Sequence, residues 1–142
     1  MASSKEIVTR LEQAFEASDW DTIDEICDPA FVDHNPQPGI PPTLEGYKSA
    51  IAQYKAAFPD LKIGDLEVTG DGDTAASRWT ASGTHQGELN GIPATGKYIT
   101  VEGMNFYKVR DGRVTDAWTQ FDSVGLLTQL GVMPAPEGAA LS

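Results

Sequence analysis

The apolar residues change their spacing once along this chain, at Leu61. Before it they recur at helical intervals, and after it they alternate. Ile7, Val8, Leu11 and Phe15 form a helical stripe behind Ser3 and Glu6, which read as a capping box. A second short helix starts at Ser18 or Asp19 and buries Trp20, Ile23 and Ile26; Pro29 interrupts it, and Ala30 to Asn35 reads as extended. Four prolines and a glycine between Pro36 and Pro42 exclude helix and central strand alike. Thr43 caps a third helix carrying Tyr47, Ala50, Ile51, Tyr54 and Phe58, which Pro59 stops.

Beyond that point the spacing predicts four strands. Leu61 to Thr69 ends in the turn cluster Gly70-Asp71-Gly72-Asp73, and Gly64-Asp65 inside it marks an edge or a bulge. Thr74 to Ser82 follows, with Trp79 and Arg78 on opposite faces. A glycine-rich connection leads to two strands, Tyr98 to Arg110 and Arg113 to Asp122, around Asp111-Gly112, a strong hairpin signal. Ser123 to Leu130 reads as a last helix ended by Gly131, with a loose tail over 132–142. Helices followed by a strand meander define an α+β domain with its helices on one face of an antiparallel sheet. At 142 residues the whole chain is one domain, with its core at about 5–131.

Charge narrows the partners. Ten basic residues face twenty-one acidic ones, for a net charge of −11. Nucleic acid and anionic membranes bind clustered Lys and Arg, so neither is an expected partner. Cys27 is the sole cysteine, which excludes an intrachain disulfide, and the amphipathic start does not read as a signal peptide. The expectation is a cytoplasmic protein. Two isolated histidines and scattered acids lack metal-ligand spacing, so no metal site is expected.

A two-residue turn at Asp111-Gly112, counted outward without interruption, pairs Tyr107 with Asp116, Asn105 with Trp118 and Val101 with Asp122. On that register one face carries Asn105, Tyr107, Trp118, Gln120 and Asp122. Indole, amides and a carboxylate together suit a pocket better than a dry core. Asp122 is the candidate acid/base group, since desolvation at a strand end would raise its pKa; the commoner role for it is to cap the helix starting at Ser123, and the two roles can coexist. His34 and His85 suit a cavity rim as proton-transfer groups or hydrogen-bond donors, although each alone also has an ordinary structural reading. Asn35 and Asn105 are candidate substrate contacts, with Trp118 as an apolar wall. Arg78 either pairs with an acid, orients a substrate oxygen or lies exposed. Apolar groups on both sides of the hairpin also predict a homodimer or higher homo-oligomer.

Five segments occur in order: Phe31-Val32-Asp33-His34-Asn35, Phe58-Pro59-Asp60-Leu61, Gly83-Thr84-His85-Gln86-Gly87, Pro93-Ala94-Thr95-Gly96-Lys97, and Trp118…Asp122…Gln129-Leu130-Gly131. Together they resemble the SnoaL-like polyketide (ester) cyclases of the nuclear transport factor 2-like superfamily, over about Lys5 to Gly131. The resemblance implies a cone-shaped α+β barrel, a strongly curved sheet wrapped on the N-terminal helices around an apolar pocket. It implies cofactor-free acid/base catalysis of an intramolecular aldol closure on a small hydrophobic polyketide-like substrate. It places the acid/base aspartate at Asp122, the two histidines at His34 and His85, and the strand tryptophan at Trp118. A binding protein without catalysis is the alternative on the same scaffold, with epoxide hydrolysis around Arg78, or isomerisation, behind it.

Overall fold

The computed structural model describes residues 2–133. Helix α1 (Ser4–Ala17) starts at Ser3, whose hydroxyl oxygen accepts the Glu6 amide, and ends at Ser18 in the left-handed conformation. Helix α2 (Trp20–Ile26) is capped by Asp19. Strand β1 (Cys27–Asp33) follows, and the proline loop then leads to α3 (Leu44–Ala57), capped by Thr43. Strands β2 (Lys62–Asp71), β3 (Thr74–Thr84), β4 (Tyr98–Arg110) and β5 (Arg113–Phe121) form the meander, and α4 (Ser123–Leu130) closes the described chain at left-handed Gly131. The expected tail falls almost wholly outside the described residues. No helix among those described is long and apolar enough to cross a membrane.

The helices pack on a curved five-stranded sheet of order β1-β5-β4-β3-β2, the α+β cone that the sequence predicts. One feature departs from expectation: the sheet is mixed, because β1 joins its edge parallel to β5. The extended reading of 30–35 captures only part of that strand. Parallel partners need no adjacent turn, so sequence spacing could not reveal the pairing. In β2 the expected irregularity is present, with the register slipping between Gly64 and Glu67 and Asp65 held at φ 50°.

The β4–β5 hairpin turns at Asp111 and Gly112, both at positive φ, the pattern of a type I′ turn. Val109 pairs with Val114 and Arg110 with Arg113, as counted from the turn. Thr115 is then bulged out. Lys108 pairs with Asp116, Tyr107 with Ala117, Phe106 with Trp118 and Asn105 with Thr119. The uninterrupted register is therefore corrected by one residue, and one residue exchanges the faces of everything beyond it. Ala117, Thr119 and Phe121 turn inward, whereas Trp118 and Gln120 share the outer face with Met104 and Phe106.

Two hydrophobic clusters make the core. One joins Val8, Leu11, Phe15, Ile23, Phe31 and Tyr47 to the turn end of the hairpin through Tyr107, Val114 and Ala117. The other joins Phe58, Ala81, Leu89, Ile99 and Val101 to Leu126 and Leu130 of α4. Between them lies a space that side chains do not fill.

Candidate functional site

The gap between the clusters is a cavity of about 220 Å³, walled by α1, α3, the end of β1 and the loop after it, the inner face of β2 to β5, and Leu126 of α4. Phe15, Ile51, Tyr54 and Phe58 close it from the helices; Trp79, Ala81, Val101 and Phe121 close it from the sheet. Gly103 makes room for that wall. A Cβ there would lie 2.2 Å from Cζ2 of Trp79, so only glycine lets the indole lie flat across β4.

Polar groups enter this apolar space at few points. Glu12 projects from α1 at a position one turn beyond Val8 and just before Phe15, within the apolar stripe. Its Oε1 accepts three hydrogen bonds, from Tyr107 Oη at 2.5 Å, Asn105 Nδ2 at 3.0 Å and Ser77 Oγ at 3.1 Å. Burial raises the Glu12 pKa, and the three donors only partly oppose it. Asp33, at the end of β1, is 7% exposed and lines the same cavity. Desolvation raises its pKa too, against one backbone donor, the Asn35 amide at 3.2 Å. The Tyr47 hydroxyl is pushed well up by burial and by both carboxyl groups, Glu12 the stronger. Asn35 spans to β5, its amide nitrogen donating to the Thr119 carbonyl and its oxygen accepting the Thr119 N–H at 2.9 Å. Two buried atoms in the lining have no protein partner: Trp79 Nε1, a donor, and Asn105 Oδ1, an acceptor.

Of the residues singled out from sequence, the structure brings Asn35 and Asn105 into the cavity lining. Asp122 lies outside it. It is exposed and its Oδ1 caps α4 by accepting the Gly125 amide at 2.8 Å, the role that an aspartate before a helix ordinarily takes. Trp118 lies on the outer face as a consequence of the bulge at Thr115, and His34, the residue after inward-facing Asp33, lies there as well. Their rings stack at 4.1 Å, and His34 Nε2 meets Asp116 Oδ1 at 2.7 Å. The Asp116 carboxyl is held below its ordinary value by Thr115 first and His34 second. Arg78 is on the outer face as well, exposed and paired with Glu67, away from the cavity. His85 is fully buried beside Phe58 but does not line the cavity. Its Nδ1 accepts the Thr95 amide, which places the ring proton on Nε2, and Nε2 has no partner.

Sequence reasoning missed Glu12, Asp33, Tyr47 and Thr119. For Glu12 a signal existed, since a carboxylate interrupting the buried stripe of a helix needs either a partner or a purpose. Asp33 alternates with buried Phe31, which put it on the inner face of β1.

A partly open, largely apolar hollow with desolvated carboxyl groups, inside a helix-covered curved sheet, has the character of a small-molecule site. The chain matches the family model described as SnoaL-like polyketide cyclase over residues 5–130, and it belongs to that family. It is 28% identical to the aklanonic acid methyl ester cyclase of Streptomyces peucetius, over 97% of this chain and 98% of that protein. Among solved structures it resembles IdmH from Streptomyces antibioticus, with 34% identity, a TM-score of 0.77, and coverage of 89% of this chain and 97% of that one. TsrD from Streptomyces laurentii is similar at 27% identity and a TM-score of 0.79, covering 90% and 94%.

Proposed function

We propose that the protein closes a ring in a small hydrophobic polyketide-like ester by cofactor-free acid/base chemistry. The observation that carries this reading is Asp33, a desolvated carboxyl group facing an apolar hollow in a chain of this family. As a carboxylate it removes a proton alpha to a carbonyl, and the electron pair passes into the enolate. The enolate carbon then attacks a second carbonyl of the same molecule, forming one C–C bond, and the new alkoxide takes the proton back. Atoms are conserved, so product and substrate are isomers. A base with a raised pKa suits this step, because proton transfer is most effective when the pKa of the group lies near the working pH. The Trp79 N–H is a ready donor for a substrate oxygen. At about 220 Å³ the hollow is smaller than the roughly 300–1,000 Å³ of most ligand clefts, which favours a compact molecule or the reacting end of a longer one.

Asp33 stands here in the place that the resemblance gives to Asp122. The test follows aklanonic acid methyl ester, named from the relative, by chromatography and mass. Conversion to an isomer of equal mass supports the reading, with turnover lost in Asp33→Asn and kept in Asp122→Asn. Turnover lost only in Asp122→Asn returns the role to the helix cap. One observation favours a binding-only reading: the position matching the family's acid/base residue is a solvent-exposed cap. Stabilisation against heat by polyketide esters, with no product from any of them, would establish that reading instead.

A cytoplasmic homodimer completes the proposal. Val32, Met104 and Phe106 are exposed on the outer sheet face beside Trp118, a surface suited to a second copy. Sedimentation giving a dimer that Phe106→Glu dissociates supports it; a monomeric wild type at micromolar concentration refutes it.

A further inference from the structure

The Glu12 cluster carries more information than a buried polar contact. All three protein donors converge on one oxygen, Oε1. Among the described residues no protein donor reaches Oε2. That atom is not among the enclosed atoms without partners, and Glu12 lines the cavity, so its open surface faces the ligand space. By area Glu12 is half-buried, yet its carboxyl group is desolvated, and the residue is part of the cavity wall.

An oxygen that already accepts three hydrogen bonds is a poor place for a proton, which settles on Oε2 instead. The surroundings favour the protonated form. Tyr107 from β4 and Tyr47 from α3 are neutral hydroxyls whose own pKa values burial raises, and Asp33 from β1 is a second acid acting on the same Tyr47 ring. Glu16, one turn along α1, is a further acid of the lining. Lys55 from α3 is the one cation among the described lining residues, and its Nζ donates to the Glu16 carbonyl at 2.6 Å and Ser18 Oγ at 2.7 Å.

We propose that Glu12 is a neutral carboxylic acid whose Oε2–H donates to a ketone or ester carbonyl oxygen of the ligand. The proposal rests on the reading of the cavity as a site for carbonyl compounds and adds to it a second catalytic residue. Glu12 holds the oxygen on which negative charge develops while Asp33 removes the carbon-bound proton. Desolvation makes an enolate costly unless a donor is already aimed at its oxygen, and an acid group fixed by three hydrogen bonds needs no reorganisation to serve.

The test uses binding, so that it stands apart from turnover. Methyl naphthyl ketone and isopropylnaphthalene have similar shape, and only the ketone accepts a hydrogen bond. Calorimetry on the full chain should show the ketone bound about tenfold more tightly at acid pH, the worth of one good hydrogen bond. The preference should fall toward unity as pH rises through the titration of Glu12. In Glu12→Gln the amide oxygen inherits the three donors and the amide N–H replaces Oε2–H, so the preference should persist at every pH. In Asp33→Asn the preference should still depend on pH, because Glu12 remains to titrate. A wild-type preference that ignores pH, its disappearance in Glu12→Gln, or binding of neither compound overturns the proposal. If the binding results hold while no polyketide ester is converted, the donor stands and the cyclisation reading falls.

Discussion

Replacing Gly103 by alanine tests the architecture of the cavity wall. The added Cβ would meet Cζ2, Cη2 and Cε2 of Trp79 at 2.2, 2.4 and 2.8 Å. Carbon atoms pack at about 3.5–4.0 Å, so the indole must retreat by more than 1 Å, roughly, from its present place. Among the described residues Nε1 has no hydrogen-bond partner to hold it, and the cavity that the ring lines offers space to move into. The ring therefore swings inward, off its preferred torsions. Overpacking of this kind costs about 1–3 kcal/mol, and the reduced freedom of the unfolded chain returns about 0.4–1 kcal/mol. A net loss of about 1–2 kcal/mol corresponds to a fall in Tm of about 3–8 °C for a domain of this length. Circular-dichroism melts of Gly103→Ala, Trp79→Leu and the double variant measure it. The double variant should be more stable than the sum of the single effects, and the ketone probe should bind to neither single variant with wild-type affinity. Strict additivity, or an unchanged melt with unchanged ligand binding in Gly103→Ala, would refute the packing argument.

Two further predictions follow from the acids. Asp122→Ala should lose about 1 kcal/mol through the missing cap of α4 and keep its cavity ligand affinity; a loss of affinity with intact stability would contradict the cap assignment. Glu12 has a folded-state pKa above its ordinary 4.5, so the stability it contributes is present at pH below 4.5 and is lost as pH climbs through the raised value. Glu12→Gln should therefore match the wild type in acid and surpass it toward neutral pH. A wild type that gains on the variant with rising pH would show the sign to be wrong.

Most of the fold was legible from residue pattern because each element carries its own punctuation: Ser3, Asp19 and Thr43 as caps, Pro59 as a stop, Asp111-Gly112 as a turn. The site was less legible, and for a local reason. A two-residue turn determines only the pairs next to it, and nothing in Val-Thr-Asp distinguishes a bulge at Thr115 from a regular strand. That single residue moved Trp118 from the expected pocket face to the exposed one. Asp122 shows the reverse case: its capping of the last helix was readable in the sequence, and its carboxylate accepts the Gly125 amide there. Glu12 was visible as an interruption of an apolar stripe but belonged to a helix whose amphipathic pattern accounted for everything else.

The separation of the three tryptophans gives the protein built-in reporters. Trp20 packs against the first core cluster, Trp79 forms the cavity wall and Trp118 lies on the outer sheet face under His34. In single-tryptophan variants, emission at Trp79 registers cavity occupancy, Trp118 registers burial of the sheet by another copy, and Trp20 registers loosening of the helices. Quenching by iodide should fall at Trp79 when the cavity is filled and at Trp118 when the sheet face is covered, so the two events can be followed separately.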